Sequence, residues 1–165
     1  MKRRWLNQQL IGFLGWLAAT FAAGSVGALA SAHASEFYGQ LSRPAWAPPA
    51  WLFGPVWSVL YLLMAVAAWL IWRKHGFRDA TAALLLFVVQ LVANAMWTWL
   101  FFGLHQGALS LGEICVLWLL IVANILTFWR LQRLAALLLL PYLAWVSFAS
   151  ALTFSLWRMN PTVLG

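Results

Sequence analysis

Residues 80–112 read ATAALLLFVVQLVANAMWTWLFFGLHQGALSLG and contain no charged side chain. About 20 apolar residues at 1.5 Å each cover the roughly 30 Å of hydrocarbon in a bilayer. The first part of this stretch, residues 81–102, therefore predicts a membrane-crossing helix. A lipid-crossing strand needs only about 9–11 residues and alternates polar with apolar side chains, and this stretch does not alternate. Working outward, residues 5–35, 44–72 and 134–157 are equally free of charge, and 107–129 is interrupted only by Glu113. The expected fold is an all-α membrane protein: a single domain, residues 1–165, forming a bundle of five transmembrane helices. Their expected positions are about 10–31, 51–72, 81–102, 108–129 and 134–157, with a loop at about 32–50.

Composition agrees. The chain is 65% hydrophobic and 8% charged, whereas a soluble domain carries roughly 25% charged residues to keep its surface wet. This excludes a water-soluble enzyme, and the high hydrophobicity excludes a disordered chain. Cys115 is the sole cysteine, which excludes an internal disulfide and a cysteine-based zinc site. The net charge of +7 would suggest nucleic acid in a soluble protein. Here it reads as topology, and no nucleic-acid partner is expected. Lys2, Arg3, Arg4, Arg73, Lys74, Arg78, Arg130 and Arg133 fall on one side of a five-span chain, and Arg43 and Arg158 on the other. That asymmetry predicts a cytoplasmic amino terminus, an external carboxy terminus and residence in an inner membrane.

The first span has a competing reading. Lys2-Arg3-Arg4, an apolar stretch and Ala32-His33-Ala34 resemble a signal peptide with its cleavage site. The apolar stretch is longer than the usual 7–15 residues or so of such a peptide and contains Trp16. Its small residues Ala19, Ala23, Gly27 and Ser31 recur every four positions on one face, a pattern that lets helix backbones approach closely in lipid. Retention of the helix is the expectation, and the same face makes a homodimer a candidate.

Between the first two spans lies YGQLSRPAWAPPAWLFGP, residues 38–55. Pro44, Pro48, Pro49 and Pro55 favour extended or turn geometry, and Trp46 and Trp51 are amphipathic rings suited to a membrane interface. A loop of this length and stiffness reads either as an interfacial anchor or as a lid over the bundle mouth.

Several blocks of residues carry a resemblance. Tyr38, Leu41, Arg43-Pro44-x-Trp46-x-Pro48-Pro49-x-Trp51, Gly54-Pro55-Val56-Trp57 and Leu60-Tyr61-x-x-Met64 are similar to the signature of the translocator protein family. These are the tryptophan-rich sensory proteins (TspO/MBR), also called peripheral benzodiazepine receptor homologues. Gln90-Leu91-x-x-Asn94-x-x-Trp97 with Phe101-Phe102-Gly103 fits the same pattern, as does Leu140-Pro141-Tyr142-x-x-Trp145-x-x-Phe148-Ala149. The resemblance spans residues 38–158 and implies five helices, a retained first helix, a bacterial membrane protein and a homodimer.

The helical faces point the same way. Trp57, Tyr61 and Met64 share one face of the second span; Gln90, Asn94, Trp97 and Phe101 share one face of the third; Tyr142, Trp145, Ala149 and Leu152 share a broad face of the fifth. An amide in hydrocarbon is costly unless satisfied, so Gln90 and Asn94 should face the interior, either as glue between helices or as ligand contacts. Three such faces meeting would form an apolar pocket with a few orienting donors. Indoles offer a flat polarizable face and one N–H, which favours a large planar aromatic ligand. The resemblance implies tetrapyrrole binding, with porphyrin (protoporphyrin IX or haem) as ligand and no obligatory cofactor. It places Trp57, Asn94 and Trp145 in the pocket and Tyr38, Trp46, Trp51, Tyr61, Trp97 and Ala149 nearby or in the lid. The implied role is porphyrin sensing, buffering or disposal linked to stress. The alternatives are a transporter of porphyrins or other hydrophobic molecules, and a light-dependent porphyrin-degrading enzyme using Trp57 and Trp145.

Other features read more plainly. His33, His75 and His105 fall at helix ends or loops on both sides, so no metal site is expected and free-base porphyrin suits the bundle better than haem. Glu113 lies about one turn inside its helix; it is either a functional intramembrane carboxylate or an acid favoured by the helix dipole near water. A sterol motif of the animal members is degraded at Thr153 and Phe154, so sterol binding does not carry over. Phe37 stands where the family commonly has a tryptophan.

Overall fold

A computed structural model describes the backbone of residues 2–165 and the side chains from Asn7 onward. The side chains of Lys2, Arg3, Arg4 and Trp5, used above for topology and anchoring, lie outside the described residues. The elements are α1 (Lys2–Ala30), α2 (Ala34–Gln40), a 3-10 turn (Ala50–Leu52) and α3 (Phe53–Asp79). They continue with α4 (Thr81–Thr98), a wide turn (Trp99–Gly103), α5 (Gly107–Leu131), α6 (Arg133–Leu137), α7 (Leu140–Met159) and α8 (Pro161–Leu164). Five stretches are long and apolar enough to cross a membrane: Asn7–Ala30, Ala50–Asp79, Thr81–Gly103, Gly107–Leu131 and Arg133–Met159. The described residues contain no strand.

Three local departures from the expected helices have identifiable causes. Residues 34–40 of the expected loop form α2, because the prolines that forbid helix begin only at Pro44 and Ala-Ser-Glu precedes them. Gly76 takes φ 68° and ψ −173° inside α3, a conformation open to glycine, and it ends the straight helix at His75. The last span is split at Leu138 and Leu139, because Pro141 has no N–H to continue the helical ladder. At the far end of α4 the ladder widens, with Leu104 N–H donating to the Trp99 carbonyl at 2.8 Å.

Helix α1 packs on α3 and α4, α4 on α5, α5 on α7, and α6 returns to α3. One end of the bundle carries α2, the proline loop and α8. The opposite, basic end carries Arg73, Lys74, Arg78, Arg130 and Arg133. Lipid tails are as apolar as leucine, so close packing and interhelical hydrogen bonds hold such a bundle. Alanines and Met64 make α3 thin at the centre, where Met64, Ala65, Ala67, Ala68 and Ile71 are fully buried beside Phe87 and Phe128. Tryptophan N–H groups staple neighbouring elements. Trp69 donates to the Gln9 carbonyl at 3.1 Å, Trp99 to the Val26 carbonyl at 3.0 Å and Trp118 to Ser147 Oγ at 2.8 Å. The small residues of α1 serve this packing. A Cβ on Gly24 would lie 2.6 Å from the Tyr61 ring, and one on Gly27 3.2 Å from Thr98 Oγ1. The close approach expected of this face is thus used inside the chain, against α3 and α4.

Candidate functional site

At the lid end, α1, α3 and α4 enclose a cavity of about 490 Å³ beneath α2, within the size range of small-molecule sites. Four rings named from the sequence line it: Tyr38, Trp57, Tyr61 and Trp97. Phe53, Phe21 and Phe102 add apolar wall, and Ser31, Ser58 and Thr98 add hydroxyls. Those hydroxyls donate to the carbonyls of their own helices, Ser58 to Gly54 at 2.9 Å and Thr98 to Asn94 at 3.4 Å, leaving oxygen lone pairs as acceptors. Among the described residues neither an acid nor a base lines the cavity. It is a neutral, aromatic slot with weak polar handles.

Behind Tyr61 a polar chain joins three helices. The Tyr61 hydroxyl donates to Asn94 Oδ1 at 2.7 Å, and Asn94 Nδ2 donates to the Tyr142 hydroxyl at 3.1 Å. Asn94 therefore acts as glue through both ends of its amide and fixes the back wall of the pocket through Tyr61. The Trp57 ring lies against this chain, 5.6 Å from Tyr61 and 6.2 Å from Tyr142 between centroids. Trp97 stacks on Phe101 at 5.7 Å, and its indole N–H is buried without a hydrogen-bond partner.

The roof is built by α2 and the proline loop. The Tyr38 hydroxyl donates to the Pro48 carbonyl at 3.0 Å, and its ring packs edge-on against Phe53 at 5.4 Å. The Arg43 guanidinium stands 4.9 Å over the same ring. Burial pushes the Tyr38 hydroxyl up and Arg43 pulls it partly back, so it stays a protonated donor near neutral pH. Phe37 points away from the cavity; it stacks on His105 at 4.1 Å and meets Phe101 and Phe102 edge-on. A second tie comes from the far end of the chain. Asn160 Oδ1 accepts from Ser42 N–H at 2.8 Å, and its Nδ2 donates to the Ser42 carbonyl at 2.9 Å. The loop is thus clasped to α2 and to Asn160, and the residues of this segment that line the cavity are Ala34, Ser35, Tyr38 and Ala50.

The remaining sequence candidates lie elsewhere. Gln90 is buried one helical turn deeper than Asn94, with Nε2 3.8 Å from Met64 Sδ. Trp145 packs against Phe53 and Phe148 and faces a separate, apolar groove of about 610 Å³ between α3 and α7. Trp46 rests on Phe148 at 5.7 Å and is half exposed. Trp51 is 71% exposed and turned away from the cavity. Ala149 is buried in the core and lines neither space. Sequence reasoning missed the α1 wall of the pocket and Phe53. The small-residue stripe of α1 was the available signal, since the face that permits close packing is also the face that meets Tyr61 and Thr98. Glu113 is buried on α5, and its oxygens have no hydrogen-bond partner among the described residues.

Comparison with known proteins covers nearly all of this architecture. The TspO/MBR family model matches residues 16–158. The chain is similar to the tryptophan-rich protein TspO of Chlorobaculum tepidum, 41% identical over 132 residues covering 78% of this chain and 82% of that protein. It is similar to protein CrtK of Rhodobacter capsulatus, 39% identical over 153 residues covering 90% and 92% of the two chains. The human translocator protein is 36% identical over 127 residues, covering 76% of this chain and 75% of that protein.

Proposed function

This chain belongs to the TspO/MBR family, and from that premise we propose that its lid-end pocket binds a flat, hydrophobic tetrapyrrole of the protoporphyrin type, in the service of porphyrin sensing, buffering or disposal. The observation that carries the reading is the neutral slot walled by Tyr38, Trp57, Tyr61 and Trp97 under a clasped roof. Aromatic faces favour a planar ring through offset stacking and large buried area. The lone pairs of Ser31, Ser58 and Thr98 suit the N–H groups of a free-base macrocycle. Histidine is absent from the described lining residues, and the two tyrosines there spend their hydroxyls on Pro48 and Asn94, so the free base is a better match than an iron that needs an axial ligand. Arg43, on the lid, offers a cation to acidic substituents at the ligand's edge.

The basic end faces the cytoplasm and the lid end faces outward, as the distribution of Lys and Arg favours. In a bacterial cell this places the pocket mouth toward the outer side of the inner membrane. A bulky maleimide applied to intact cells should label Ser42→Cys and spare Arg78→Cys; the reverse pattern would invert the topology.

The binding test is quenching of tryptophan fluorescence by protoporphyrin IX in detergent. Replacing Trp57 by Ala removes one face of the slot and should weaken binding about tenfold, the size of one good aromatic contact plus its burial. Trp145→Phe, which alters the α3–α7 groove and meets the slot only from behind Phe53, should change affinity far less than Trp57→Ala. If Trp145→Phe weakens binding and Trp57→Ala does not, the ligand belongs in that groove and this reading fails.

A further inference from the structure

The α1–α3 seam holds a second cavity at the basic end, larger than the first and different in lining. It has a volume of about 910 Å³ and is amphipathic along its length. At its outer end stand the amides of Gln8 and Gln9 and the guanidinium of Arg73; toward the bilayer centre the lining turns to Gly15, Trp16 and Phe77. The cation is held in place. Its guanidinium lies 5.0 Å over the Trp69 ring, and Trp69 is itself pinned to the Gln9 carbonyl. The floor is built as well. The left-handed turn at Gly76 ends the straight part of α3, and Phe77 beyond it lies 6.3 Å from Trp16 and 6.0 Å from Trp72. The Gln9 Oε1 atom is buried and has no hydrogen-bond partner among the described residues. A Cβ on Gly15 would meet no atom within 4 Å, so this position opens onto empty trough.

From this juxtaposition we propose that the basic-end trough is a binding site for an anionic phospholipid of the phosphatidylglycerol type. Its phosphate lies on Arg73, its headgroup hydroxyl donates to the Gln9 amide, and an acyl chain runs past Gly15 and Trp16. Charge complementarity selects the occupant, because among the described residues Arg73 is the one charged residue lining any of the three cavities. Basic pockets between helices on the cytoplasmic side are where anionic headgroups are held. The site is independent of the lid-end pocket and of any pigment bound there.

The test is native mass spectrometry of the delipidated full chain in detergent, offered phosphatidylglycerol or phosphatidylcholine with identical acyl chains. Phosphatidylglycerol should be retained about fivefold more strongly, the preference that one basic residue near a membrane surface confers. Arg73→Gln should abolish that preference, and Arg78→Gln, outside the trough, should keep it. Gly15→Leu starts from a position whose Cβ has open space and should lower retention of both lipids, with unchanged melting temperature showing that the fold is intact. Equal retention of the two lipids by the unaltered chain overturns the proposal. So does an Arg73→Gln variant that behaves as the parent. If both variants instead weaken protoporphyrin quenching while lipid retention holds, the trough is a pigment site and the lipid assignment falls.

Discussion

The two ends of the α1–α3 seam use the same helices to opposite effect. At the lid end the helices part around a neutral slot, close behind it through Tyr61, Asn94 and Tyr142, and are roofed by a loop tied to the last helix. At the basic end they part around an unroofed trough with a fixed cation at its mouth. Glycine decides how closely the two helices approach beside each site. Gly12 lies directly under the Trp72 ring and Gly24 under Tyr61, whereas Gly15 faces open space. The lesson is that one pair of membrane helices can make two chemically distinct sites by moving small residues a single turn.

The strongest way to break this contrast is to fill the tight points. Gly12→Val and Gly24→Val each put a side chain where an aromatic ring already lies. Overpacking of this kind typically costs about 1–3 kcal/mol or more, and here it also forces the helices apart. Both variants should show the largest drop in melting temperature of any described here, while Gly15→Leu melts with the parent; a stable Gly24→Val would mean the seam is loose. Next comes Asn94→Ala, which leaves the buried hydroxyls of Tyr61 and Tyr142 unpaired at about 1–3 kcal/mol. It should lower the melting temperature and weaken protoporphyrin binding, whereas Asn94→Asp should recover part of both by keeping the acceptor for Tyr61.

Asn160→Ala removes the clasp on Ser42. The expected loss is about 1–2 kcal/mol, confined to the roof. Hydrogen exchange should rise at residues 41–49 and not in α3 or α4, and protoporphyrin should enter faster. Uniform exchange across the chain would show that Asn160 supports the whole bundle. Smallest of all is Arg73→Gln. The side chain is exposed, and removing it should change stability by no more than about 0.5 kcal/mol, so any larger fall in melting temperature would reveal a structural role for the cation at the basic end.

The helices were legible in the sequence because hydrocarbon thickness leaves few options for an uncharged run such as 81–102; four spans begin and end within about three residues of expectation, while α3 runs on to Asp79, past the expected end at 72. The breaks at Gly76 and before Pro141 have local chemical signals that a length argument passes over. The site was only partly legible. Tyr38, Trp57, Tyr61 and Trp97 converge on one cavity, since spacing of three or four residues does identify a shared face. On α7, however, Tyr142 and Trp145 differ by about 60° around the helix axis. That rotation is enough to send one ring into the polar chain and the other toward the α3–α7 groove. Nor does spacing tell which tryptophans spend their N–H on a partner. Trp69 and Trp99 reach carbonyls 60 and 73 residues away, and only the packed bundle brings those groups together.

The clasp between Ser42 and Asn160 joins positions 118 residues apart. During synthesis, every span through α7 is made before Asn160 leaves the ribosome. A nascent chain stalled at that point has its walls in place and its roof unfastened, so the clasp forms only after every wall of the pocket exists. Ligand offered cotranslationally would meet an open mouth, and closure would follow the emergence of Asn160.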